Sequence, residues 1–310
     1  MTTIKTIRQY FTLLLVALTL VGCRQEEIIS EDLQIPGLGG TTEVQNELDA
    51  WLYENFTKPY NIEVVYRWDA AQMYTSVDSK LVPVDYDAVQ PMMAVLRDVW
   101  FEPFNDVLGE DLFLKQYAPK KVVLVGSPEY VNGAIKLGQA EGGRKILLLN
   151  ANRFNPKDED LLKNMLQTIV HEFAHILHQM HLFTPQYQEV SRGFYDSTGW
   201  NQYQSEGEAY VRGFVSRYAM SDYHEDFVET FAILMVRGRE WFESTVIPVA
   251  KNSKITNAEA ALRTKISIVE EYMLSNFGIR MFDDPATGEK GLESFMQSSI
   301  EQVIATPPTE

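Results

Sequence analysis

Cysteine is nearly absent from this chain of 310 residues: Cys23 is the only one. A single cysteine makes no internal disulfide, so the fold is not a disulfide scaffold. Basic charge is short as well. Lysine and arginine number 27 against 43 acids, a formal net charge of −16, which argues against nucleic-acid phosphate as a partner. The acidity is spread along the chain and serves solubility. There is no internal repeat and no glycine-rich phosphate loop. The apolar run Phe11 to Gly22 is too short for a comfortable membrane span. What remains is a chain with 45% hydrophobic residues, enough for a globular core of one large or two small domains.

The first 22 residues read as a signal peptide, with Lys5 and Arg8 before the apolar run. The run ends Leu20-Val21-Gly22-Cys23, which resembles the bacterial lipobox and makes Cys23 the expected lipidation site. The next residues, Arg-Gln-Glu-Glu, resemble the export tag of surface-exposed lipoproteins; an inward-facing lipoprotein is the alternative. Residues 23–42, with Pro36-Gly37-Leu38-Gly39-Gly40, read as a flexible tether. The folded domain is expected over 43–305, with 306–310 as a frayed tail.

Histidine is also scarce, yet four of the five fall within eleven residues, at 171, 175, 178 and 181. The run His171-Glu172-Phe173-Ala174-His175 is H-E-x-x-H, a zinc-binding and general-base motif. Its surroundings read as one helix from about Asp158 to His181. Leu161, Leu162, Met165, Ile169, Phe173, Ile176, Leu177 and Met180 recur at threes and fours, and acids crowd the first turn. On such a helix His171 and His175 project from one face, where two imidazoles can share one Zn2+ at roughly 2.0–2.1 Å. Glu172 stands beside them to take a proton from water.

Catalytic zinc usually takes a third protein ligand. Glu225, His181 and His178 are the candidates. His181 occupies the last position of the metzincin pattern, and Ala219-Met220-Ser221 faintly echoes that group's methionine turn. That pattern needs glycine where this chain has His178, so that the backbone can turn back. On an unbroken helix His181 lies about 15 Å along the axis from His171. His178 points past the metal, so both read as a polar helix end, with a role on the substrate side or behind a ligand as the alternative for His178. Glu225 is favoured. Ser221 or Asp222 can cap a helix there, and Glu225 and Glu229 lie one turn apart. A carboxylate on the metal with a second one orienting a ligand histidine is a recurring arrangement.

The pair H-E-F-A-H and Y-x-x-x-x-x-x-E-D-F-V-E resembles gluzincin metallopeptidases with a site like that of anthrax lethal factor. The resemblance implies His171, His175 and Glu225 as zinc ligands, Glu172 as general base, and Tyr218 as a hydroxyl assisting the transition state. Glu229 matches the second carboxylate. The whole chain is similar to the substrate import-associated zinc metallohydrolase lipoproteins of Bacteroidota-type bacteria, also described as zinc-binding metallopeptidases. That similarity implies an outer-membrane TonB-dependent importer, with its substrate-binding lipoprotein, as partner.

The remaining patterns predict a helix over 43–56, a strand over 61–68, a helix over 85–107 that Pro103 ends or kinks, and strands at 121–126 and 146–149. This order is that of an α+β, zincin-like metallopeptidase fold: a mixed sheet, a backing helix, the H-E-x-x-H helix and a largely helical C-terminal part. Lys145 to Asn150 is the candidate edge strand for an extended substrate, or else a central strand. The aromatics of 182–205 pin a long loop to the body or form a lid over the metal. The expected activity is hydrolysis of peptide or protein substrates by a surface-anchored, zinc-dependent enzyme. A non-catalytic substrate-capturing lipoprotein and a zinc amidohydrolase acting on glycan or cell-wall material are the alternatives.

Overall fold

A computed structural model describes residues 46–73, 80–131, 134–141 and 144–306. The expected signal peptide, Cys23, the tether and residues 307–310 lie outside the described residues.

Two apolar runs become the interior of a four-stranded sheet. Its strands are β1 (Glu63–Val65), β2 (Lys121–Leu124), β5 (Gly138–Glu141) and β6 (Lys145–Leu148), in the order β1-β2-β6-β5. The first three in that order are parallel, and β5 runs antiparallel to β6. Because strand side chains alternate, Val122, Leu124, Ile146 and Leu148 enter the main core. Val123, Val125, Leu147 and Leu149 form a smaller cluster with Met73 and Leu81 on the other face. Burial on both faces explains why these strands read as continuous apolar runs. Between β2 and β5, β3 (Glu129–Val131) and β4 (Ala134–Lys136) form a separate antiparallel hairpin. Of the two readings of Lys145 to Asn150 the central strand holds and the edge strand is corrected: Lys145–Leu148 is paired on both sides, and the edges of the sheet are β1 and β5.

Helix α1 covers 47–60, with a π-helical turn at Tyr53–Thr57. Helix α2 covers 86–108 and also widens to a π-helical turn, at Arg97–Phe101. It passes Pro103 and ends at Gly109, whose φ of 69° is open to glycine at little steric penalty. Helix α3 (Glu159–Met180) is the H-E-x-x-H helix. Asp158 caps it by accepting the Leu161 N–H at 3.1 Å, and His181 is its C-cap. Its apolar stripe buries Phe173 against Trp100, Phe104 and Phe113, with ring centroids 5.4, 5.5 and 6.0 Å away. Full burial of one such side chain contributes roughly 1.5–3 kcal/mol.

Helix α4 (Tyr223–Arg237) packs along α3 and is buried on every side from Asp226 to Val236, as expected of a central helix. Asp222 caps it, accepting the His224 N–H at 2.8 Å. Around α4 lie α5 (Ala258–Phe277), capped by Asn257, and α6 (Leu292–Ala305). A fully buried ion pair joins α5 to α4: Lys265 Nζ is 2.7 Å from Asp226 Oδ2. Lys265 also donates to the Gly213 carbonyl at 2.7 Å and lies 3.8 Å from the Phe214 ring centroid. The Tyr195 hydroxyl donates to Asp226 Oδ2 at 2.8 Å.

Of the aromatics in 182–205, Phe183 stacks on Phe227, Tyr187 donates to the Asp226 carbonyl, and Tyr195 holds the Asp226 side chain. They pin the segment to α4. Trp200 instead lies against Tyr218, at a centroid distance of 5.0 Å, and faces the cleft over α3.

Candidate metal centre

His171 and His175, one helical turn apart on α3, meet Glu225 from the first turn of α4. Three distances define the meeting. His171 Nε2 and His175 Nε2 are each 3.2 Å from Glu225 Oε2, and 3.2 Å from one another. A tetrahedral zinc with bonds of roughly 2.0–2.1 Å separates its ligand atoms by about 3.3–3.4 Å. The triangle therefore has the size of one face of a zinc coordination tetrahedron.

Proton accounting points the same way. His171 Nδ1 lies 2.9 Å from Glu229 Oε1. An ionised carboxylate only accepts, so Nδ1 carries a proton; when the ring is neutral, Nε2 is then the lone-pair nitrogen. With both rings neutral, two imidazole lone pairs and the Glu225 oxygen converge on one point. Such a constellation needs a positive charge at its centre; without a metal, a proton among them supplies it. Burial would lower the His171 pKa, but the Glu225 and Glu229 carboxylates override it and push it up to about 10. Burial would raise Glu225, and hydrogen bonding to the two histidines instead holds it well below the usual carboxylate range. The donor set, one carboxylate and two imidazoles, suits zinc, and these residues fit the ion.

Each of the two histidines is braced from behind. Glu229 Oε2 accepts the Ser216 hydroxyl at 2.6 Å, and Ser216 Oγ accepts the Ala219 N–H at 3.0 Å. The segment bearing Tyr218 is thereby tied to the carboxylate that orients His171. Behind His175 stands His178, with Nε2 3.0 Å from His175 Nδ1. His178 is buried, not at a polar helix end, because the turn after α3 folds Phe183 over it and α4 stacks His224 on it. Burial, then His175 and His224, lower the His178 pKa to about 4. His181 takes no part: α3 runs unbroken to Met180, and His181 Nε2 lies 3.3 Å from the Tyr117 hydroxyl. Met220 is buried in the turn Tyr218–Met220.

Glu172 points toward β5. Its Oε2 accepts the Ala140 N–H at 2.6 Å. Gly138 makes this approach possible, since a Cβ there would stand 2.5 Å from Thr168 Cγ2 on α3. Tyr218 places its ring 5.7 Å from that of His171. Burial first, then neighbouring Glu225, raise its hydroxyl pKa above the ordinary tyrosine value, so at neutral pH it is a donor. The cleft holding these groups measures about 980 Å3. Its walls include Gln139 and Ala140 of β5, Tyr218, Trp200 and Asn201. The structure thus brings together His171, Glu172, His175, Tyr218, Glu225 and Glu229. Sequence reasoning missed Ser216 and left His178 undecided. The signal for His178 was its place three residues after His175; Ser216 carried none.

A mixed sheet, a helix bearing H-E-x-x-H and a glutamate from a second helix define a zincin-like metallopeptidase fold. The family profile described as "Putative zinc-binding metallo-peptidase" matches residues 41–282, and the chain belongs to that family. Among solved structures, a crystal structure of a "putative zinc-binding metallo-peptidase" from Bacteroides caccae ATCC 43185 is similar, with 27% identity and a TM-score of 0.66. The match covers 82% of this chain and 92% of that one. Among curated proteins no significant match was found.

Proposed function

We propose that this chain is a zinc-dependent peptidase with a lethal-factor-like gluzincin site, anchored by lipid at Cys23 to the outer membrane and exposed at the cell surface. The observation that carries the catalytic part is the triangle His171, His175, Glu225 with Glu172 beside it. Zinc held there would polarise the scissile carbonyl and make an adjoining water acidic. Glu172 takes that water's proton and returns it to the leaving amine. The Tyr218 hydroxyl, a donor across the working pH range, stabilises the developing oxyanion. Glu229 keeps the His171 proton on Nδ1, leaving Nε2 for the metal. The intact base favours catalysis over mere capture, since binding alone does not need Glu172.

Anchoring and import rest on the sequence. The lipobox-like Leu20-Val21-Gly22-Cys23 and the acids after it support a surface lipoprotein. The similarity to import-associated metallohydrolases supports a TonB-dependent importer and its substrate-binding lipoprotein as partners.

Metal analysis of the soluble domain, paired with cleavage of a peptide library, tests the catalytic proposal. Wild type should hold one zinc and cleave. Glu172→Gln should hold zinc and lose about 100- to 10,000-fold in turnover. Glu225→Ala should lose the metal. Unchanged turnover in Glu172→Gln removes the base, and full zinc in Glu225→Ala removes the third ligand. A zinc-loaded wild type inert on the library would favour substrate capture.

A further inference from the structure

The two ligand histidines are braced by different chemistry. Behind His171 stands a carboxylate, Glu229; behind His175 stands a third imidazole, His178. We propose that His178 is a positioning residue of the metal centre: its Nε2 accepts the His175 Nδ1–H and so presents the His175 Nε2 lone pair to zinc. The inference rests on the zinc assignment above and goes beyond it in naming what fixes the second ligand.

A neutral imidazole has one N–H and one lone pair. If His175 ligates through Nε2, its proton sits on Nδ1. The atom 3.0 Å from that proton's nitrogen is His178 Nε2, which must then be the lone-pair nitrogen. Metal at His175 and the Nδ1–H tautomer of His178 therefore require one another. The reverse tautomer of His178 would aim an N–H at His175 Nδ1 and place the His175 proton on Nε2, where the metal belongs.

Burial protects the bond to His175, although His178 Nδ1 itself is buried without a hydrogen-bond partner among the described residues. His178 is 6% exposed, so water does not compete for the bond. Its ring stacks on His224, with centroids 5.2 Å apart and planes at 20°, and Phe183 closes another side at 5.8 Å. His224 immediately precedes the ligand Glu225 and is itself held by Asp222 at 2.8 Å. The brace for His175 thus leans on the turn that delivers the third ligand. Charge gives a reason for an imidazole here. Zinc with Glu172, Glu225 and Glu229 already sums to one net negative charge (2 − 3 = −1). A fourth carboxylate would bring it to −2 and weaken the metal's pull on a carbonyl, whereas neutral imidazole orients His175 without that effect.

The test compares wild type, His178→Phe and His178→Gln for zinc affinity, by competition with a chelating indicator. Phenylalanine fills the same space and cannot accept a hydrogen bond. Glutamine places Oε1 as many bonds from Cα as His178 Nε2 and can. His178→Phe should bind zinc about 10- to 100-fold more weakly, the usual effect of losing such a partner. His178→Gln should stay within about threefold of wild type, and the zinc-free melting temperatures should stay alike. A merely structural role would move the zinc-free stability of both variants and leave the affinities together. Long-range 15N NMR of the zinc-loaded wild type supplies a measurement that needs no variant: His178 should show the Nδ1–H tautomer. Equal affinities, or an Nε2–H tautomer for His178, overturn the inference. A wild type that binds no zinc overturns the zinc assignment instead.

Discussion

Removing the charge of Lys265 should loosen the metal centre from a distance. In Lys265→Met the aliphatic stem is largely kept, while Asp226 loses the ammonium 2.7 Å away and keeps the Tyr195 hydroxyl. Breaking a fully buried pair by removing one partner costs about 3–5 kcal/mol. Burial raises the Asp226 pKa above its ordinary 3.8 even with Lys265 present. The orphaned carboxylate can therefore take up a proton, which sets the loss near the lower end, about 3 kcal/mol. At roughly 2–4 °C per kcal/mol for a domain of this size, the melting temperature should fall by about 6–12 °C. The sign with pH follows from the raised value. Below the unfolded-state value both states carry the proton and no lone charge is buried; the deficit grows as pH rises through the folded-state value. Calorimetry of the chelator-treated protein at about pH 4 and pH 7 should show the smaller deficit at the lower pH. Adding Asp226→Asn should recover more than half the loss, because the pair is then absent rather than broken. A deficit under about 1 kcal/mol at neutral pH, or a double variant worse than the single one, refutes the reasoning.

Two further outcomes test the proposed function. Tyr218→Phe should lower turnover about 100- to 1,000-fold, as expected for one oxyanion donor, with zinc content unchanged; wild-type turnover would remove Tyr218 from the mechanism. In the bacterial host, mass spectrometry should find the mature N-terminus at a lipid-modified Cys23, and Cys23→Ala should release the protein from the membrane. Membrane retention of Cys23→Ala would overturn the anchor.

The sequence was most legible where local signals are strong. Helix α3 follows its apolar periodicity from the Asp158 cap to His181, and α4 starts at the Asp222 cap. The doubly buried strands β2 and β6 announce themselves as apolar runs. The edge strand β5 did not, because Gly138-Gln-Ala-Glu141 has no alternation to read. That strand is fixed by pairing to β6 and by Gly138 lying against Thr168, tertiary facts without a local trace. Lys265 could have been found: with Leu262 and Val269 it stands on the buried stripe of α5, where a lysine needs a partner.

Besides the turn that bears Tyr218, the site draws on three elements, and each is held by a different device. Helix α3 supplies two nitrogens and the Glu172 carboxylate in one rigid piece, so their mutual geometry survives changes elsewhere. Helix α4 supplies Glu225 and Glu229, and the adjacent Asp226 is gripped by Lys265 of α5. The sheet edge supplies the Ala140 N–H to Glu172 only because position 138 lacks a side chain. Damage should therefore be separable. Loosening α4 through Lys265 should weaken zinc binding while leaving a two-histidine site on α3, whereas crowding β5 at Gly138 should disturb Glu172 and the β5 wall of the cleft with zinc binding retained. A centre whose ligands all came from one helix would not divide in this way.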